Sequence, residues 1–425
     1  GDVYKRQCLD TAIRNPQKFI FMSATNPLWA SAVLLTERMV QPMDKPTVQD
    51  IFHRFYPAYL DQYSPSPVQA KVAHNIMNCK TGAYGANVCV CEDCGFVQIH
   101  YNSCRNRCCP MCQAVPKEMW MDARREDVLD APYFHLVFTV PDILNPVIYS
   151  NQRLLYDALY HAASSTISEL TADPKHLGAK VGYICILHTW GSEMNFHPHI
   201  HTILLGGGLA SNNQWKDNGE NFFLPIRVIS KVFRGKYLEE LKRLWEEDKL
   251  VFHGTAEKFR NHYTFKELLD SCYGMDWIPH CKKTFNGAQT VIKYLGKYTH
   301  RIAVSNHRIV RMDDDTVTFL VKDYRNEGQW KELTISGVEF VRRFLMHVPP
   351  RRFVRIRHYG LLCSRTKSQK LTLCRNLLGC KKYLSKLRDM EMPEILEHLY
   401  GIKVCVCKAC GGHLGKPQMR MPLRC

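Results

Sequence analysis

Seven cysteines fall between Cys89 and Cys112, in the pattern Cys89-x-Cys91-x-x-Cys94 and then Cys104-x-x-x-Cys108-Cys109-Pro-Met-Cys112. No other stretch constrains folding as strongly. A Cys-x-x-Cys pair offers two thiolates from one turn, and two such pairs make a closed tetrahedral zinc site. The 14 residues between Cys94 and Cys109 match a zinc ribbon, with Gly95 and Pro110 suited to tight turns around the metal. Cys91, Cys94, Cys109 and Cys112 are therefore the expected ligands of a structural Zn²⁺. Cys104 and Cys108 are alternates that could replace one ligand or build a second site. Seven further cysteines of the 19 lie between Cys363 and Cys425. Among them Cys407-x-x-Cys410-Gly-Gly looks like half of another ribbon, its partner being Cys374 and Cys380, or Cys405 and Cys425, unless these are simple unpaired thiols. A long chain with recurring close pairs points to a reducing compartment, the cytoplasm, and to metal rather than disulfides.

The 425 residues suggest two or three domains, and a 45% hydrophobic share excludes a disordered chain. With 57 Lys+Arg against 40 Asp+Glu the formal charge is +17, which favours a nucleic-acid partner. That charge is local. From Arg342 to Arg388 there are 14 Lys/Arg and no acid, leaving 43 against 40 elsewhere. Arg351, Arg352, Arg355 and Arg357 are candidate phosphate contacts, and the interleaved Phe344, Phe353, Tyr359 and Tyr383 could stack on unpaired bases. The alternative for this run is a solvated basic face. No run of 18 apolar residues occurs, so no transmembrane helix or membrane partner is expected. Residues 1–42 read as a non-native or upstream segment, with Met43 a candidate start, and carry no functional argument.

Periodicity predicts helix over residues 46–80, a charged helix from Lys117 to Leu129, and a strand at Tyr133–Val140. A long helix at Asn145–Leu170 and strands Lys180–Trp190 and His197–Leu205 follow, the short link between these strands implying an antiparallel hairpin. Helices at Val228–Lys249 and Glu257–Cys272, a strand at Trp277–Thr284 and a helical segment at Gly287–Tyr298 come next. Short strands at His307–Arg311, Thr316–Lys322 and Lys331–Ile335 and a helix at Val338–His347 close the core. One antiparallel sheet with intervening helices argues an α+β fold.

His197-Pro-His199-Ile-His201 lies on the second hairpin strand. Side chains alternate across a strand, so His199 and His201 share a face, and a hairpin centred near residue 194 sets His188 opposite them. Three imidazoles can then hold one divalent metal with positions open for substrate oxygens. Lone strand histidines are usually structural; this register makes coincidence a poorer account, and His197, before Pro198, ranks below the other three. Gly206-Gly207-Gly208 lets the backbone pass close to another group, DNA being one candidate. Farther on, Tyr294 and Tyr298 sit at i, i+4 on one helical face, with Lys293, Lys297 and Arg301 as an adjacent basic stripe. Both tyrosines could simply pack on the sheet. Beside a metal-bound phosphate, a tyrosine could instead attack phosphorus.

The motifs HPHIH with its glycines, YLGKYTHR and the preceding SCRNRCCPMCQ together resemble the two-tyrosine HUH transposases of the insertion sequence 91 family. The resemblance spans about residues 46–365, including VPPRRFVRIRHYGLL, and departs from the family pattern at Cys108, where histidine is usual. It implies an HUH endonuclease core, preceded by a zinc-binding domain, that nicks single-stranded DNA with Mg²⁺ or Mn²⁺ and keeps a 5′-phosphotyrosine link. His199 and His201 would be the HUH ligands, His188 the third, and Tyr294 and Tyr298 the nucleophiles. The expected domains are 43–115 (helices and ribbon), 116–347 (catalytic core) and 348–425 (basic extension). The expected partner is single-stranded DNA at transposon ends and target, in a bacterial cytoplasm at the nucleoid, with no small-molecule substrate. A plasmid or phage replication initiator or a relaxase shares the chemistry, although the chain has no Gly-x-x-x-x-Gly-Lys-Ser/Thr helicase loop. A non-catalytic zinc-dependent DNA-binding protein and a three-histidine zinc hydrolase are the readings from other classes.

Overall fold

The computed structural model describes residues 45–218, 224–277, 280–285, 291, 296, 302–323 and 328–420. Its first two elements, α1 (Val48–Gln62) and α2 (Pro67–Met77), replace the single helix expected over 46–80. Tyr63 is extended, and Pro65 and Pro67 disfavour helix in the residues before them. Each helix restarts on a reciprocal cap, Thr47 with Asp50 and Ser66 with Gln69. Ile51, Phe52, Phe55 and Tyr59 form the buried stripe of α1, as the periodicity indicates.

A ribbon of β1 (Ala86–Val90) and β2 (Val97–Tyr101) precedes α3 (Ala114–Arg125) and β3 (Tyr133–Thr139). Next come α4 (Asn145–Ser150) and α5 (Gln152–Ala172), two helices where one was expected. The break is Asn151, whose side-chain oxygen accepts from the Val251 amide at 2.8 Å while its nitrogen donates to the Val251 carbonyl at 2.7 Å. The hairpin follows as β4 (Lys180–Trp190) and β5 (Phe196–Leu209), then β6 (Trp215–Asp217), α6 (Ile226–Glu246) and α7 (His262–Gly274). After β7 (His280–Phe285), the strands β8 (Ile309–Met312), β9 (Thr316–Asp323) and β10 (Gln329–Ser336) make a small sheet of their own, capped by α8 (Gly337–Met346). The chain ends with β11 (Ile356–Gly360), α9 (Lys367–Leu378), α10 (Met392–Tyr400) and β12 (Gln418–Arg420).

The main sheet runs β11-β4-β5-β3-β7 with β6 paired to the end of β5, every pair antiparallel. Strand parity divides its two faces. Phe134, Leu136 and Phe138 of β3, Tyr183, Cys185 and Leu187 of β4, and Ile200 and Leu204 of β5 pack under α5, α6 and α7 against Tyr160, Phe233 and Phe265. The opposite residues, Ile184, Ile186, Ile203 and Leu205, join Val291, Leu361, Leu371 and Cys374 on the second face. The mixed helix and antiparallel-sheet architecture is α+β, as expected. β11, from the segment expected as a separate extension, is an edge strand of this sheet.

Candidate metal centre

β4 and β5 pair with His188 directly across from His199, and His201 follows two residues along the same face. All three are at most 9% exposed, and their ligating nitrogens lie within 4.8 Å of one another. Nδ1 of His199 is 2.7 Å from the carbonyl of His197. A carbonyl only accepts, so Nδ1 carries the proton and Nε2 of the neutral ring keeps its lone pair. Burial lowers the pKa of His199 to about 4, which holds it in that neutral form. On the neighbouring strand, Nε2 of the buried His135 lies 2.9 Å from Nδ1 of His201 and holds the orientation of that ring. The two Nε2 atoms of His199 and His201 then face each other at 3.0 Å. The donor set thus fits a divalent ion. Trp190 stacks on His188 with centroids 4.7 Å apart, and His197 turns away toward Asp142.

The glycines after β5 make their close approach within the protein. A Cβ on Gly206 would meet the Phe134 ring and the Pro132 carbonyl at 2.9 Å, one on Gly207 the Trp215 ring at 2.4 Å, and one on Gly208 the Lys180 carbonyl at 2.4 Å. These contacts let β6 fold onto β5 and account for the glycines without DNA.

The single thiolate set expected from the sequence is divided. Cys109 and Cys112 meet Cys104 and Cys79, all four sulfurs lying within 4.8 Å of one another. Sγ of Cys112 is 3.5 Å from that of Cys79 and 3.6 Å from that of Cys104. A tetrahedron with arms of ~2.3 Å has edges of about 3.8 Å, so this set fits Zn²⁺. Backbone amides of Cys104 and Asn106 point at Sγ of Cys79 and Cys104, as thiolates require. Cys91 and Cys94 belong elsewhere, with Cys407 and Cys410. Two consecutive knuckles need not share a metal, because β2 intervenes and carries the chain away. Cys79 escaped the sequence reading since it stands alone, 25 residues before Cys104. Cys104, an expected alternate, is in the set, but Cys108 is in neither. It is buried beside Arg355 and Arg107, and burial raises its thiol pKa.

Part of the basic run is neutralised, by the adjacent Glu339 and by acids from distant sequence. Arg342 and Arg343 pair with Glu339, Arg357 with Asp157, Lys367 with Asp127 and Arg388 with Glu126. Arg357 also lies 3.9 Å over the Tyr160 ring, and both Arg355 and Arg357 are partly buried. The expected base-stacking aromatics are occupied as well. Phe344 and Phe353 are core residues at 3% and 2% exposure, Tyr359 stacks on Tyr183, and the Tyr383 hydroxyl donates to Asp122. Arg351 and Arg352 are exposed and, with Lys71 and Arg107, line a cleft of about 340 Å³ beside the first thiolate set. Lys293, Tyr294, Lys297, Tyr298 and Arg301 lie outside the described residues. Val291, the start of their segment, is buried in the cluster on the histidine face of the sheet.

Comparison with known proteins places this chain. Residues 51–140 match a family described as "Transposase zinc-binding domain", and residues 182–370 match one described as "Putative transposase". The chain is 40% identical over 369 residues to "Putative transposase y4qJ" of Sinorhizobium fredii (strain NBRC 101917 / NGR234), covering 86% of this chain and 93% of that protein. It is 30% identical over 309 residues to "Transposase for insertion sequence element IS801" of Pseudomonas savastanoi pv. phaseolicola, covering 72% of each. Among solved structures, metal-bound conjugative relaxase TrwC with oriT DNA superposes at a TM-score of 0.22 and 13% identity, over 39% of this chain and 73% of that one. The family matches and both relatives define the class, a transposase. The chain belongs to the insertion sequence 91 family, as its motifs indicate.

Proposed function

We propose that this chain nicks and rejoins single-stranded DNA at the ends of its own element, in rolling-circle transposition. The observation that carries the reading is the buried set of His188, His199 and His201, whose ligating nitrogens converge within 4.8 Å of one another. A divalent ion held there would polarise the scissile phosphate. Three imidazole nitrogens suit a transition ion such as Mn²⁺ better than Mg²⁺, which prefers oxygen. The His197 carbonyl fixes the tautomer of His199, and His135 holds the ring of His201 in place. Tyr294 or Tyr298 supplies the nucleophile. Its oxygen forms a bond to phosphorus as the bond from phosphorus to the 3′ oxygen breaks, the 3′ oxygen takes up a proton, and the 5′ end stays on the tyrosine. The second tyrosine serves a later transfer. Val291, just before these tyrosines in sequence, is buried on the face of the sheet that carries the histidines.

The test incubates labelled single-stranded DNA bearing the element's ends with the protein and Mn²⁺ or Mg²⁺. A covalent protein–DNA adduct is expected from the wild type and none from a Tyr294→Phe/Tyr298→Phe double variant. An adduct that persists in that variant, or nicking that survives His199→Ala/His201→Ala, overturns the mechanism.

A further inference from the structure

Cys91 and Cys94 find their counterparts more than 300 residues along the chain. Sγ of Cys91 lies 3.5 Å from that of Cys410, and Sγ of Cys94 lies 3.8 Å from that of Cys407, with sequence separations of 319 and 313. All four sulfurs fall within 4.8 Å of one another, close to the edges of about 3.8 Å that tetrahedral zinc imposes. A disulfide would need about 2.05 Å, and pairwise bonding would not explain four mutually close sulfurs.

The two half-sites have the same build. In each Cys-x-x-Cys-Gly turn the glycine adopts a positive φ, +71° at Gly95 and +78° at Gly411. Its amide donates to the carbonyl of the first cysteine at 3.0 Å in both turns, Gly95 to Cys91 and Gly411 to Cys407. Only glycine enters this region without strain. In the second turn the amides of Ala409 and Gly412 also point at Sγ of Cys407 and Cys410, at 3.4 Å each. Backbone pairing brings the halves together independently of sulfur. β12 pairs antiparallel with β1, Val88 opposite Gln418, and a bridge links Cys91 with Leu414. The Glu92 amide donates to the His413 carbonyl at 3.1 Å and that of Gly415 to Val90 at 2.9 Å. Leu414 packs with Cys89, Cys91, Cys407 and Phe96 in a small apolar cluster. Cys89 is a packing residue of this cluster and not a ligand.

We infer that Cys91, Cys94, Cys407 and Cys410 bind one Zn²⁺ in a ribbon built from the two ends of the described chain, distinct from the Cys79/Cys104/Cys109/Cys112 site. The zinc-binding family match ends at residue 140 and contains only half of these ligands. The tail is therefore a structural part of the N-terminal module. Without it, Cys91 and Cys94 form a two-thiolate half-site that cannot hold zinc tightly.

The experiment uses the full chain and compares zinc per chain, by elemental mass spectrometry, in wild type, Cys407→Ser/Cys410→Ser and Cys109→Ser/Cys112→Ser. Each double variant is expected to lose one equivalent, and the four-site variant two. In the same samples, thiol alkylation mapped by mass spectrometry provides a control against misfolding. In Cys407→Ser/Cys410→Ser, Cys91 and Cys94 should become reactive while Cys79, Cys104, Cys109 and Cys112 stay protected. Cys410→His, which keeps a four-ligand set, should restore zinc and protection. Full zinc content in Cys407→Ser/Cys410→Ser, or unchanged protection of Cys91 and Cys94, overturns the inference.

Discussion

At His347 the side chain has no access to water in which to carry charge. Its Nε2 donates to the Met194 carbonyl at 3.0 Å, its Nδ1 sits 3.2 Å from the Thr189 hydroxyl, and burial lowers its pKa to about 4. His358 is lowered to about 4 by the same cause. The unfolded chain binds these protons near pH 6.5 and the folded chain does not until near pH 4. Stability is accordingly full above about 6.5 and declines as pH falls toward 4. Urea midpoints measured across that range should drop with acid, and His347→Gln, which preserves a donor to Met194, should flatten the drop. Constant midpoints would refute the assignment. Histidine roles at this scale were partly legible. The placement of His188, His199 and His201 follows from strand parity and a hairpin centre, which sequence carries. His135 was not legible, because only the pairing of β3 with β5 brings it to His201.

Whole elements show the same division. Apolar spacing runs without interruption through Asn145–Leu170, so nothing local announces that the helix stops. Asn151 breaks it because Val251, 100 residues away, presents an amide and a carbonyl to its side chain. Asn151 is buried but Val251 is half exposed, so Asn151→Ala would leave the two Val251 groups partly open to water and should cost about 1–2 kcal/mol. Chemical denaturation would measure it, and a loss within experimental error would show that water replaces the amide. The arginine run misled for a related reason. A count along the chain cannot include Asp157, Asp127 or Glu126, which lie far from the run and neutralise part of it.

Across the whole molecule, the net charge of +17 remains, but its exposed part is smaller than the sequence suggests. Arg351 and Arg352, beside Lys71 and Arg107, are exposed cations of the described basic segment that line one cleft. If they meet phosphates of a single strand, Arg351→Gln/Arg352→Gln should lower the slope of log affinity against log salt by about 1.4, roughly 0.7 per contact. Fluorescence anisotropy over a salt series tests this, and an unchanged slope places the strand elsewhere. No helix among the described residues is long and apolar enough to cross a membrane. The α+β architecture was readable from alternating strand and helix signals. The return of the tail was not, because cysteine spacing records which knuckles exist and leaves open which pairs meet.

The tail's return also has a consequence in time. Cys94 is translated 313 residues before Cys407. At a synthesis rate of ~5–20 residues per second, Cys91 and Cys94 wait roughly 15–60 s for their partners. During that interval the growing chain carries a pair of open thiols that oxidants and competing metals can reach. Only synthesis past Cys410 removes the exposure.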